Sequence, residues 1–393
     1  MKQPVPKKMI EKVNEINNEK STYTLLVDGN SLLEVSFHGD KRLNSRGEHV
    51  GGIFQFLLQL KILLTKGDFN SCYVFWDGDN SGQYRAEIYP EYKANRDKNY
   101  SLDNIDSDYY KQMDLFMKKV LEKQRKQKEK TPEKLNEKES FHRQRNILTE
   151  YLEELFIRQV ICDKIEGDDF IAYYCLHKKP NDKVVIVSGD RDLTQLIDET
   201  VCLYEPRLKK FISTKNHISE IGYHHKNVLL KKMITGDASD NIKGVKGVGE
   251  KTLFELVPEI KEKEITLDEV IKKCVELNQK RIDEKKKPFS AYTNIINGVT
   301  DGIHNGKLYE INEKIINLKK PILNKESIEM MEDMMYVPID CDGRGLDNLY
   351  KLIIRDDIFE LIDSNRFSNF FSTYNKIVDK EKIFLKNWLI KNK

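Results

Sequence analysis

Residues 156–190 do most to narrow what this chain can fold into. FIRQVICDK reads as a strand and DDFIAYYCLHKK as a helix with Phe170, Ile171, Tyr174 and Cys175 on one face. VVIVSGD reads as another strand after the Pro180-Asn181 break. Strand, helix and strand in that succession make a βαβ unit, whose strands run parallel. Two earlier runs, YTLLVDGN (Tyr23 to Asn30) and SCYVFWDGDN (Ser71 to Asn80), share a plan: a short β-prone apolar run, then Asp-Gly and a turn. A fifth candidate strand, TVCLYEP (Thr200 to Pro206), continues through a turn into KKFIST. The expected fold class is α/β, a mostly parallel sheet flanked by helices. Such sheets gather ligands outside the carboxyl ends of their strands.

Acidic residues fall at those ends. Asp28 follows the first strand and Asp77 the second, Glu166, Asp168 and Asp169 crowd a βα junction, and Asp190 and Asp192 follow VVIVS. Asp237 and Asp240, in GDASDN, come from a later helical region. Singly, each has an ordinary structural explanation. Asp-Gly is a turn signal, Asp190 and Asp192 can cap a helix beginning near Leu193, and Asp168 can cap its own helix. Those explanations do not account for seven acids at consecutive strand ends, joined by two more from GDASDN. Two like charges about 4 Å apart repel by roughly 4 kcal/mol at an effective dielectric near 20, unless a cation lies between them. Hard divalent ions, Mg²⁺ or Mn²⁺, take oxygen ligands, and a pair of them can activate water and stabilise the leaving oxygen of a phosphodiester. Nine carboxylates exceed the charge of two such ions, so cationic groups must steer a polyanionic substrate. Arg85, Lys93, Arg96, Lys232 and Lys251 are the candidates.

The chain has 393 residues, 39% hydrophobic and 33% charged, enough for two or three folded units. No apolar run approaches the length of a membrane span or a signal peptide, which predicts a cytoplasmic protein with no membrane partner. The six cysteines never form a C-x-x-C pair, so neither a disulfide framework nor a zinc site is expected from them. Net charge is only +2, which leaves local charge to decide about nucleic acid.

Between the second and third strands lies a long excursion, 78–155. It includes QYRAEIYPEYKANRDKNY, the lysine-rich stretch Lys118 to Lys130, and an amphipathic helix with Ile147, Leu148, Tyr151, Leu152 and Leu155 on one side. Past Thr214 the chain reads as helical. IKGVKGVGEKTLFEL gives a glycine hairpin followed by a helix near Glu250. Gly244, Gly247 and Gly249 permit backbone geometry that side chains obstruct. Such a hairpin lets amides approach a phosphate and grip a nucleic-acid backbone without reading bases.

WDGDNSGQYRAEIYPEYKANRD, IEGDD, VSGDRDLTQL and ITGDASDNIKGVKGVGEKT, in this order, resemble the bacteriophage 5′-nucleases. These are 5′→3′ exonucleases and flap endonucleases, including phage ribonuclease H, related to the 5′-nuclease domain of bacterial DNA polymerase I. The likeness covers roughly Tyr23 to Val257. It implies a PIN-like nuclease domain over 21–215, a helical arch within 78–155, and a helix-three-turn-helix DNA-binding element over 216–260. An extension, 1–20, and a helical C-terminal region, 261–393, lie outside it. The resemblance makes all nine acids metal-site residues and puts Arg85 and Lys93 on the scissile phosphate, with Arg96 positioning the strand. It further implies two Mg²⁺, with Mn²⁺ as a substitute, and a K⁺ held by backbone carbonyls at the hairpin.

The resulting expectation is a divalent-metal-dependent phosphodiesterase acting near a 5′ end, removing primers or flaps during DNA replication. Its substrates would be flapped DNA or an RNA-DNA hybrid. It would act as a monomer alongside replication proteins such as a single-strand-binding protein. The competing expectations are a catalytically inactive DNA-binding protein, which should lack some of the acids, and a PIN-type ribonuclease, which should lack the hairpin.

Overall fold

The computed structural model describes residues 23–95, 137–180, 182–301, 303, 307–359, 362 and 367–391. Arg96, the lysine-rich stretch and the 1–20 extension lie outside the described residues. The strands are β1 (Tyr23–Asp28), β2 (Phe69–Phe75), β3 (Arg158–Val160), β4 (Lys183–Val187), β5 (Val201–Glu205) and β6 (Lys210–Ile212). They form one sheet in the order β3-β2-β1-β4-β5-β6, parallel except for the β5–β6 hairpin. The βαβ segment is wider than its sequence suggests. Its helix, Gly167–His177, carries the chain from the edge strand β3 across β2 and β1 to β4. β3 itself has only three residues, where nine looked strand-like.

Period-two alternation assigns the sheet's two faces. Leu25, Val27, Cys72, Val74, Trp76, Val185 and Val187 enter one core with the helices Gly29–Gly39, Gly51–Lys66 and Glu137–Glu154. Leu26, Tyr73, Phe75, Val184 and Ile186 enter the other, under the helix Gly167–His177. Both faces are covered, as a parallel sheet requires. The segment after 260 covers both as well. Leu349, Ile353, Phe371 and Tyr374 belong to the first core, and Leu318 and Met331 to the second. Arg158, 2% exposed, pairs there with Glu381 of the last helix at 2.6 Å. A third core holds the helical region from Leu230 to Tyr309. No helix among the described residues is long and apolar enough to cross a membrane.

The strand order fixes where function can sit. From β1 the chain builds outward to β2 and β3, then returns to the far side of β1 for β4 and β5. Between β1 and β4 the build direction reverses, which opens a crevice outside the carboxyl ends of the two strands. Asp28 ends β1, and Ser188 directly follows β4.

Candidate active site at the strand ends

A cleft of about 280 Å³ lies at that crevice. Its lining includes Asp28, Asp77, Glu166, Asp168, Asp190, Asp192, Asp237 and Asp240, eight of the nine acids from five separated stretches of chain. Each arrives by its own local device. Asp28 caps the helix Gly29–Gly39, its Oδ1 accepting from Ser31 N at 2.9 Å while its Oδ2 accepts from Ser188 Oγ at 2.7 Å. Asp77 lies two residues beyond β2. Its Oδ1 accepts from Gly167 N at 2.8 Å and its Oδ2 from Asn30 Nδ2 at 2.8 Å. The cap of the helix Gly167–His177 therefore comes from Asp77, across the sheet, and not from Asp168. Asp190 caps the short 3-10 helix Arg191–Leu196 through Asp192 N. Asp237 and Asp240 ride on a turn between the two-residue strands Gly236–Asp237 and Ile242–Lys243. Capping and cleft lining are compatible, because each carboxylate oxygen has a second lone pair.

The ninth acid departs from the expectation. Asp169 is 1% exposed and turned from the cleft. Its oxygens accept from Arg85 at 2.6 and 3.0 Å, and Oδ1 also accepts from Ile322 N at 2.9 Å. Helical geometry explains this. Consecutive residues point about 100° apart around the axis, so Asp168 and Asp169 cannot face the same cleft. Arg85 changes role with it. The guanidinium is 6% exposed, bonds Asp169 and Ile315 O (2.9 Å), and pairs with Glu166 at 2.6 Å. It lines the cleft while its donors aim two carboxylates. Lys93, left-handed at φ 53°, pairs with Glu166 from the solvent side, and its backbone N–H donates to Asp240 O at 2.8 Å. Lys232, expected at the DNA, bridges Asp192 and Asp237.

The electrostatics show what this arrangement costs. Burial and the charges of Asp77 and Asp190 push Asp28 up to about 7. Burial and the charges of Asp190, Asp28 and Asp77 hold Asp168 well above the carboxylate range. Burial and Asp190 raise Asp192 to about 6, despite Lys232. Glu166 stays below its usual value, because Arg85 and Lys93 outweigh its burial. Asp237 falls to about 2, its burial outweighed by bonds from Lys232 and Ser239. Among the described residues, Arg85, Lys93 and Lys232 pair with Glu166, Asp169, Asp192 and Asp237. Asn30 Oδ1 adds a buried oxygen with no partner among the described residues at the same cleft. A ligand set of carboxylate and amide oxygens, with no thiol or imidazole among the described lining residues, suits hard divalent cations.

Several contributors carried no usable sequence signal. Tyr92 donates to Glu166 at 3.0 Å, Asn30 and Ser188 orient acids, and Ile315, Ile316 and Leu318 close one wall from the C-terminal region. At the hairpin, Gly247 (φ 76°) and Gly249 face open space, and the Lys251 side chain is 89% exposed. Gly244 serves an internal purpose. A Cβ there would lie 2.2 Å from the Thr235 carbonyl carbon, so the glycine lets the chain cross itself beneath the turn.

Residues 23–228 match the model of the 5′-3′ exonuclease N-terminal resolvase-like domain. DNA polymerase I of Bacillus subtilis (strain 168) is 28% identical over 271 residues, covering 67% of this chain but 26% of that protein. The chain thus spans about a quarter of that relative's length. A 5′-3′ exonuclease of Mycoplasmopsis pulmonis is 25% identical over 253 residues, covering 64% of this chain and 71% of the relative. The fold is similar to that of the bacteriophage T5 5′-exonuclease, solved with divalent metal ions (zinc). The TM-score is 0.52 at 19% identity, over 85% of this chain and 98% of that one. It is equally similar to the T5 D15 flap endonuclease in a complex with DNA and metal ions, with TM-score 0.52 at 18% identity over 86% and 99%. With over half its length matched by the family model, the chain belongs to the 5′-3′ exonuclease family.

Proposed function

We propose that this chain is a divalent-metal-dependent 5′→3′ exonuclease and flap endonuclease that removes primers or flaps during DNA replication. The observation carrying this reading is the convergence of eight carboxylates, from five stretches of chain, on one cleft at the switch point of the sheet. Asp28, Asp77, Glu166 and Asp168 would hold one Mg²⁺ and Asp192, Asp237 and Asp240 the other, while Asp190, whose charge acts on Asp28, Asp168 and Asp192 alike, serves both. When bound, such ions supply Lewis-acid activation of water and stabilisation of the leaving oxygen.

The chain's own residues do the rest. Arg85 and Tyr92 aim Glu166, Asn30 and Gly167 fix Asp77, and Ser31 and Ser188 fix Asp28, so the lining is set before substrate arrives. Among the described residues, Arg85, Lys93 and Lys232 are the basic groups lining the cleft that a phosphate would enter. The 216–260 element would grip the duplex through the open backbone at Gly247 and Gly249 with Lys251 beside it, a K⁺ assisting there. The test is cleavage of 5′-labelled flap DNA and of an RNA-primed duplex. Short 5′-terminal products with Mg²⁺ and none with chelator are expected. Equal cutting in chelator, or products only from internal single-stranded sites, would contradict the reading.

A further inference from the structure

HISEIGYHH, residues 217–225, lies outside the acidic cleft, at the start of the 216–260 element, and none of its side chains has a role assigned above. The helix His217–Ile221 stops at Gly222 (φ 89°), and the chain turns back so that His224 and His225 meet His217. The three rings lie with centroids 4.6–4.9 Å apart. One ring nitrogen from each comes within 4.8 Å of the other two. His217 is 6% exposed and His225 4%. Both bury a nitrogen that has no partner among the described residues, Nε2 of His217 and Nδ1 of His225. Leaving a buried polar atom unpaired costs about 1–3 kcal/mol, so two beside a third imidazole call for an explanation.

From this geometry we infer a second cation site, in which His217, His224 and His225 bind one d-block divalent ion of the Zn²⁺ class.

The ring chemistry fits such an ion. His217 Nδ1 lies 3.3 Å from Ser213 O, and an N–H donated there leaves the lone pair on Nε2, the nitrogen without a partner. A carbonyl behind a ligating histidine is the usual device for fixing its tautomer. Burial and the neighbouring rings push His225 down to about 4 and hold His224 below its ordinary value. His224 Nδ1 accepts only a long bond, 3.4 Å, from Lys226 N, which coordination through either ring nitrogen would give up. Tetrahedral zinc at about 2.1 Å from each nitrogen needs them roughly 3.4 Å apart, a contraction that rotation of all three imidazoles would have to supply. Imidazole nitrogens select Zn²⁺, Ni²⁺ or Co²⁺ over Mg²⁺, so this site and the carboxylate cleft take different ions. Lys226 and Lys319 bear on the cluster with positive charge and Glu264 with negative charge.

The position gives the ion a purpose. His217 lies five residues past β6, and His225 opens the 3-10 helix His225–Asn227 that runs directly into the helix Val228–Thr235 bearing Lys232. Asn227 in turn donates to Ile260 O and Lys263 O, both at 2.7 Å. An ion here clips the end of the sheet to the start of the hairpin element.

The test uses full-length protein stripped of metal and titrated with Zn²⁺ or Co²⁺ in excess Mg²⁺. One equivalent of Zn²⁺ should bind, with imidazole scattering at the zinc X-ray absorption edge. Co²⁺ should give the visible absorption of a nitrogen-ligated tetrahedral site. Second-shell changes alone cost 10–100-fold in affinity, so His224→Ala should weaken Zn²⁺ by at least about 100-fold. Asp168→Asn/Asp190→Asn should leave Zn²⁺ binding unchanged. If His224→Ala does not fold, His224→Gln and the wild-type absorption edge carry the test. No Zn²⁺ uptake in excess Mg²⁺, uptake unaltered in the His224 variants, or an edge showing only oxygen ligands would overturn the inference.

Discussion

Asp28→Asn should make the metal-free protein more stable at pH 8 while removing its response to Mg²⁺. In the fold the Asp28 carboxyl is pushed from 3.8 to about 7 by burial and by Asp77 and Asp190. At about 1.36 kcal/mol per unit, holding it ionised costs the folded state about 4 kcal/mol. The sign follows from linkage. The folded state binds the proton more tightly than the unfolded one, so the penalty is absent below pH about 4, grows between about 4 and 7, and is constant above. About 3 kcal/mol of it should develop between pH 5 and 8. Asparagine keeps the bond from Ser31 N and forfeits the one from Ser188 Oγ, a loss of about 1 kcal/mol. The net gain at pH 8 is then about 2–3 kcal/mol, and almost nothing at pH 4. Urea denaturation in EDTA at pH 4, 5 and 8 measures it. Mg²⁺ at one hundred times Kd should cancel this advantage, and at one thousand times Kd, where binding stabilises only the wild-type site by about 4.1 kcal/mol, the order should reverse. A variant less stable than wild type in EDTA at pH 8, or a wild-type curve flat from pH 5 to 8, refutes the reasoning.

Two further outcomes test the supporting frame. Arg85→Met strands Glu166 and Asp169 as buried charges and should cost about 3–5 kcal/mol in urea denaturation. A loss below about 1 kcal/mol would show that the guanidinium does not hold them. Arg158→Met should cost as much, because Glu381 is 3% exposed, whereas Arg158→Met/Glu381→Leu should recover most of that loss. A double variant no better than the single one would mean that the bonds from Arg158 to Met334 O and Val337 O matter more than the ion pair.

The sheet was legible because a parallel strand buried on both faces must be continuously apolar, as TLLV, CYVF and VVIV are. The acids were legible as a set because strand ends were legible. Their individual orientations were not. Asp168 and Asp169 are adjacent letters, and only the helical rotation between them sends one to the cleft and the other to Arg85. Arg85 looked like a phosphate ligand because its partners, Asp169 and Ile315 O, lie 84 and 230 positions away. Strand order depends on which edges pair, a long-range choice that no local pattern encodes, so the βαβ segment concealed a crossover spanning two strands. The C-terminal helices show only amphipathic faces, which say that something is covered without saying what. They close both cores and one wall of the cleft. The histidine cluster is not legible as a spacing motif, because the seven-residue separation of His217 and His224 is closed only by the turn at Gly222.

Asp190→Asn tests the central claim most directly, in Mg²⁺ on a 5′-labelled flap substrate, with DNA binding measured in parallel. Asp190 repels Asp28, Asp168 and Asp192, so one substitution disturbs both halves of the acidic cleft. Several kcal/mol of transition-state stabilisation at about 1.36 kcal/mol per decade predicts cleavage slower by about 100-fold or more, with substrate affinity within a few-fold of wild type. A variant that cuts the flap as fast as the unaltered protein would contradict the assignment of the cleft as the catalytic metal site.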